Sequence, residues 1–95
     1  MPRLYKKSKH LDRILVKLEN KNKQLYENLL NKMDEVLNSS DIEHYKNLRY
    51  NMKAYKRVQV GSFVLVFRLD KQTDLVYFAD FDHLRNQRFL STVRN

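Results

Sequence analysis

Ninety-five residues make one domain, 1–95, large enough for a single core and too small for separate catalytic and regulatory units. Nineteen Lys and Arg against eleven Asp and Glu give a net charge of +8, which favours phosphates or an acidic protein as partner and makes such binding fall steeply with salt. The absence of cysteine excludes a disulfide framework, a thiolate nucleophile and a zinc knuckle.

Taken in chain order, the first ten residues, MPRLYKKSKH, hold no apolar core for an export signal. Arg3-Leu4-Tyr5 is a possible edge strand. Leu11, Ile14, Leu15 and Leu18 recur at helical spacing behind Ser8, a good capping residue. After the polar break Asn20-Lys21-Asn22, Leu25, Leu29, Met33, Val36 and Leu37 keep the same period as far as Asn38-Ser39-Ser40-Asp41. The first half therefore reads as a helical hairpin with one apolar stripe per helix. The single Gly and single Pro leave no flexible linker and no Gly-rich phosphate loop.

The period then changes. Lys56 to Val60 alternates, Phe63 to Phe67 is continuously apolar, and Leu75 to Phe81 is rich in β-branched and aromatic residues, which predicts three antiparallel strands. No apolar run, Phe63 to Phe67 included, comes near a membrane span, so a soluble cytoplasmic protein without membrane contact is expected. Gly61-Ser62 suits a type II′ turn, and that fixes a register. Val60 faces Phe63, Val58 faces Leu65 and Lys56 faces Phe67 on one side. Gln59 with Val64, Arg57 with Val66 and Tyr55 with Arg68 share the other. The first side should pack on the helices. A five-residue loop, Asp70 to Asp74, would set Leu75 opposite Leu69 and add Val76, Phe78 and Asp80 to the second side, an assignment that a one-residue change flips.

Between His44 and Leu69 the chain holds no Asp or Glu, yet it carries Lys46, Arg49, Lys53, Lys56, Arg57 and Arg68 interleaved with Tyr45, Tyr50 and Tyr55. Cations without neighbouring carboxylates keep their field and phenol rings offer stacking surfaces, a pairing that suits RNA or another polyanion with bases. Lys46, Arg49, Lys53, Tyr55, Lys56 and Arg68 are the candidate RNA contacts. A solvated basic face that binds nothing in particular is the plain alternative, and each tyrosine could be a core residue with its hydroxyl at solvent. Asp80, Asp82 and His83 could hold a metal in the abstract, but two acids at a strand end more often pair with neighbouring Arg. No metal and no cofactor are expected.

The order of elements, with Leu48-Arg49, Tyr55-Lys56-Arg57-Val58-Gln59-Val60-Gly61-Ser62-Phe63, Val64-Leu65-Val66-Phe67-Arg68-Leu69-Asp70 and Phe81-Asp82-His83, resembles RelE/ParE-type toxins of prokaryotic toxin-antitoxin systems. The resemblance runs from the first helix to Phe89. It implies an α+β fold in which an N-terminal helical hairpin packs on one face of a three- or four-stranded antiparallel sheet. It also implies a toxin with a cognate acidic antitoxin, acting with ribosome and mRNA as a metal-independent endoribonuclease that inhibits translation. In that frame Arg57 stabilises phosphate, while His83, whose side-chain type titrates near neutrality, transfers a proton beside Arg85 and Arg88. The chain departs from the family at Gln59 and Val64, where active members carry cations, and at Arg88-Phe89 in place of a C-terminal Tyr. The same superfamily includes gyrase inhibitors, so a non-enzymatic nucleic-acid or protein binding module is the alternative.

Overall fold

Ser8 ends an extended segment and opens the first helix, its Oγ accepting the Leu11 N–H at 3.0 Å. In the computed structural model, which describes residues 3–48 and 54–84, that helix is α1, Lys9–Lys21. A second, α2, spans Lys23–Leu37. The three-residue break expected at Asn20 to Asn22 is a single residue. Asn22 donates its N–H to the Leu18 carbonyl at 2.8 Å, and its side chain accepts the Leu25 N–H at 3.2 Å. One asparagine thus closes α1 and caps α2. Among the described residues no helix is long and apolar enough to cross a membrane.

The sheet has five strands: β1 Leu4–Lys7, β2 Lys46–Asn47, β3 Lys56–Val60, β4 Phe63–Asp70 and β5 Leu75–His83. Their order is β1-β5-β4-β3-β2. Five strands exceed the three or four expected, the possible edge strand at Arg3-Leu4-Tyr5 is realised as β1, and the sheet is mixed, because β1 runs parallel to β5. Residues 3 to 7 are tied in by backbone bonds from Arg3 N–H to the Leu37 carbonyl at 3.1 Å and from Ser8 N–H to the Phe78 carbonyl at 3.0 Å. Arg3 Nε also meets Asp74 Oδ1 at 2.9 Å. The two residues of β2 are too few to leave an alternation in the sequence.

The β3–β4 register agrees with the sequence at every pair from Lys56↔Phe67 to Val60↔Phe63. Gly61 takes φ 61° while Ser62 stays out of the positive region, as a type II′ turn requires. The next loop holds four residues, not five: Asp70 pairs with Leu75 and Leu69 with Val76. This moves Val76 and Phe78 into the core, where both have no solvent exposure. Asp74 makes the shorter connection by adopting φ 55°, a conformation that Asp tolerates better than most residues. A bulge then corrects the phase. Phe67 pairs with Phe78 and Val66 with Asp80, so Ala79 is extra, and Phe81 returns to the core face while Asp80 and Asp82 share the opposite side with Val66 and Val64.

Leu11, Leu15, Leu29, Met33, Val36 and Leu37 from the helices meet Val60, Leu65, Phe67, Val76, Phe78 and Phe81 from the sheet in one core. Two amphipathic helices and a half-apolar sheet bury their stripes only against each other, so the helices cover one face. The other face is not bare: Leu48, Val64 and Val66 are buried there, with Tyr55 and Ala79 against them.

Candidate nucleic-acid interface

The face away from the helices carries cations in rows across the strands. In one row Lys46 of β2 lies directly opposite Arg57 of β3, and Arg57 in turn pairs with Val66. Lys46 is exposed and Arg57 half-buried. Like charges set opposite each other on neighbouring strands repel. Among the described residues neither cation pairs with a carboxylate, so the repulsion is relieved by water or by an incoming anion. Arg68 lies on the same face, two residues further along β4 from Val66, and stands over the rings of Tyr55 and Tyr77.

Lys56 has a different task from the one its charge suggested. It lies opposite Phe67 on the core face, with 6% of its surface exposed. Its Nζ donates to Asn47 Oδ1 at 2.6 Å and to the Tyr45 carbonyl at 3.2 Å, and meets Glu43 Oε1 at 3.5 Å. The ammonium therefore ties β2 and the turn before it to β3, turned away from any RNA on the open face. Tyr45 is core, as the plainer sequence reading had it, with its ring edge-on to Phe67 at 5.4 Å. Burial, with the Glu35 carboxylate second, pushes its hydroxyl pKa up. Lys56→Ala should cost about 1–3 kcal/mol in urea unfolding, because it leaves the Asn47 and Tyr45 oxygens without their donor.

Glu43 is held below the usual carboxylate range by the Lys71 hydrogen bond first and the Lys56 charge second. A carboxylate with a depressed folded-state pKa stabilises above its unfolded pKa and loses that contribution as pH falls through the folded one. Glu43→Gln should accordingly lower the melting temperature slightly at neutral pH. The difference from wild type should close in acid, below the ordinary carboxylate range, when both are followed by circular dichroism.

His83 ends β5 opposite Phe63, its ring edge-on to the Phe63 ring at 5.0 Å. Phe63 also faces Val60, so His83 belongs to the helix-side face and Arg57 to the other. Their partners Phe63 and Val66 are three residues apart on β4, about 10 Å along the strand. The register does not bring the two together. His83 instead shares an open pocket of about 510 Å³ with Gln59, Gly61, Ser62 and Leu84. Asp80 is taken up by His10 Nε2 at 3.1 Å and by the Phe81 N–H at 2.8 Å. Among the described residues no group of three metal-binding side chains forms. Arg49, Lys53, Arg85 and Arg88 lie outside the described residues.

No protein-family model matches the chain. It is 44% identical over 77 residues to the toxin candidate RelE4 of Methanocaldococcus jannaschii, covering 80% of each chain. The chain belongs to the RelE toxin family. An uncharacterised protein of Methanosarcina mazei is 42% identical over 74 residues, 77% of this chain and 84% of the other. RelE toxins of known structure have the same fold. The Mycobacterium tuberculosis RelBE2 toxin-antitoxin complex matches with a TM-score of 0.72 at 18% identity, over 87% of this chain and 92% of that chain. The Pyrococcus horikoshii RelE-RelB complex matches with 0.67 at 14% identity, over 92% and 100%.

Sequence reasoning missed two members of this RelE chain's open face, Tyr77 and Lys6. Tyr77 becomes visible once the loop before Leu75 is given four residues, since it then pairs with Arg68, whereas Lys6 is placed by the parallel pairing of β1 with β5.

Proposed function

We propose that this RelE-type chain is the toxin of a toxin-antitoxin pair and cleaves messenger RNA at the ribosome, in the cytoplasm, without a metal. The observation that carries the reading is the Lys46–Arg57 pair, two like charges held side by side on the face the helices leave open. Cleavage by attack of a ribose 2′-hydroxyl on the adjacent phosphate builds negative charge on a crowded phosphorane, and paired cations suit that charge. Arg57, with Lys46 beside it, stabilises the phosphate. His83, at the sheet end beside Gln59, is the candidate for proton transfer, with Arg85 and Arg88 proposed as further cations.

A net charge of +8 and an open face of mixed cations and apolar groups fit an acidic antitoxin segment that wraps the toxin. The RelBE2 structure is a toxin-antitoxin complex and the Pyrococcus structure a RelE-RelB complex. Co-expression with the product of a neighbouring acidic reading frame should give a complex that survives purification at low salt. Failure of the two to associate would remove the antitoxin proposal.

A second reading, binding without cleavage, is favoured by Arg57 and His83 lying on opposite faces and by Gln59 and Val64 standing where active members carry cations. Purified protein on translating ribosomes, with and without EDTA, separates the two. Specific cleavage that EDTA leaves intact is expected from the nuclease. Intact mRNA, with salt-sensitive binding in a filter assay, would leave only the binding module.

A further inference from the structure

On the open face, one row of side chains alternates cation and aromatic ring across three strands and the residue that leads into a fourth. Lys6 of β1 lies beside Tyr77 of β5, and Tyr77 lies opposite Arg68 of β4. The Arg68 guanidinium carbon stands 5.0 Å from the Tyr77 ring centre and 5.7 Å from that of Tyr55, which precedes β3. Both distances are within the range of cation–π attraction. Lys6 and Arg68 are exposed and the two tyrosines half-buried. Among the described residues no carboxylate pairs with either cation.

Two rings fix where the guanidinium stands, yet unlike a carboxylate they do not neutralise it. The result is a cation positioned in advance, with little rotamer freedom left to lose when an anion arrives. Rings and guanidinium are also the side-chain surfaces on which unstacked bases settle. The two tyrosines sit two strand spacings apart, about 10 Å. The row lies two residues along the strands from Lys46 and Arg57, about 7 Å, so a strand held at Arg57 reaches it with a neighbouring nucleotide.

We propose that Tyr55, Arg68, Tyr77 and Lys6 form a subsite for single-stranded RNA flanking the phosphate at Arg57, with Arg68 and Lys6 holding backbone phosphates and the tyrosine rings stacking bases. This rests on the RNA-directed reading of the open face and extends it to residues remote from the bond that is cut.

Fluorescence anisotropy with a short labelled oligouridine over a salt series tests the row. Arg68→Ala and Tyr77→Ala should each weaken binding by about tenfold, while Tyr77→Phe, which keeps the ring, should bind as wild type. Removing Lys6 and Arg68 together should flatten the salt dependence by about 1.4 units of slope, two phosphate contacts on a single strand. Lys17→Ala, which removes one exposed charge from α1, should change nothing. Arg68→Gln, at an exposed position, decides the matter should Tyr77→Ala lower the melting temperature. The proposal is overturned if Arg68→Gln and Tyr77→Ala bind as wild type, if Lys17→Ala weakens binding as much as Arg68→Ala, or if a duplex of the same length competes equally well. Cleavage of mRNA on ribosomes is scored separately. A wild type that binds through this row and leaves mRNA intact rejects the nuclease and not the subsite.

Discussion

Arg57→Ala should lower the rate of mRNA cleavage on translating ribosomes by about 10²-fold or more, the scale of losing one preorganised charge-stabilising donor. Arg57 is half-buried on the open face, opposite Val66. Arg57→Lys should recover part of the rate, since it keeps the charge and loses the fork. Binding to ribosomes should fall much less than cleavage, because a contact that strengthens in the transition state acts on the chemical step. Stability provides an internal control. Removing one of two opposed cations relieves the repulsion with Lys46, so the variant should melt at the wild-type temperature or slightly above. Cleavage that survives Arg57→Ala would rule this residue out as the phosphate stabiliser. Loss of cleavage together with loss of fold would show that Arg57 does structural work on a face where the register leaves it none.

Phe78→Ala should destabilise the protein by about 3–5 kcal/mol, the range for truncating a buried aromatic. Phe78 has no solvent exposure, with the Tyr5 ring edge-on at 5.8 Å and Phe67 at 6.2 Å. For a domain of this size each kcal/mol shifts the melting temperature by about 4–8 °C, so a fall of roughly 12–40 °C is expected. Tyr77→Ala, one residue away on the other face, should cost far less. Comparing the two melts reads the register of β5 directly. If Tyr77→Ala is the more damaging, the four-residue loop is wrong and the strand is out of phase by one.

That pair of residues also marks where the sequence stops being legible. The β3–β4 hairpin can be read because Gly61 takes a backbone conformation that few other residues accept, and the two-residue turn then fixes every pair behind it. Lys71-Gln72-Thr73-Asp74 contains no glycine. Its length is set by Asp74 entering the left-handed region, where Arg3 also meets its carboxylate. The Ala79 bulge leaves no mark in the residues around it, so the phase of Val76, Phe78 and Phe81 needs the structure. Lys56 is a different case. It shares the phase of Val58 and Val60, which is the signal for an inward side chain, but a basic segment draws the eye to charge. Arg57 and Arg68 were legible on the open face, whereas the separation of Arg57 from His83 depends on the bulge.

The parallel strand at the edge has a consequence for the timing of synthesis. β1 is made before its partners on β5, which lie 71 residues later, as the Leu4↔Leu75 pair and the 71-residue span between Ser8 and Ala79 make plain. At 5–20 residues per second, about 4–14 s separate the appearance of the two strands. Throughout that interval β1 has no strand to pair with and α1 has no β5 to cover. The open face, with its row from Lys6 to Tyr55, is assembled only once β5 has been made. A growing chain therefore lacks the finished face that we propose binds RNA.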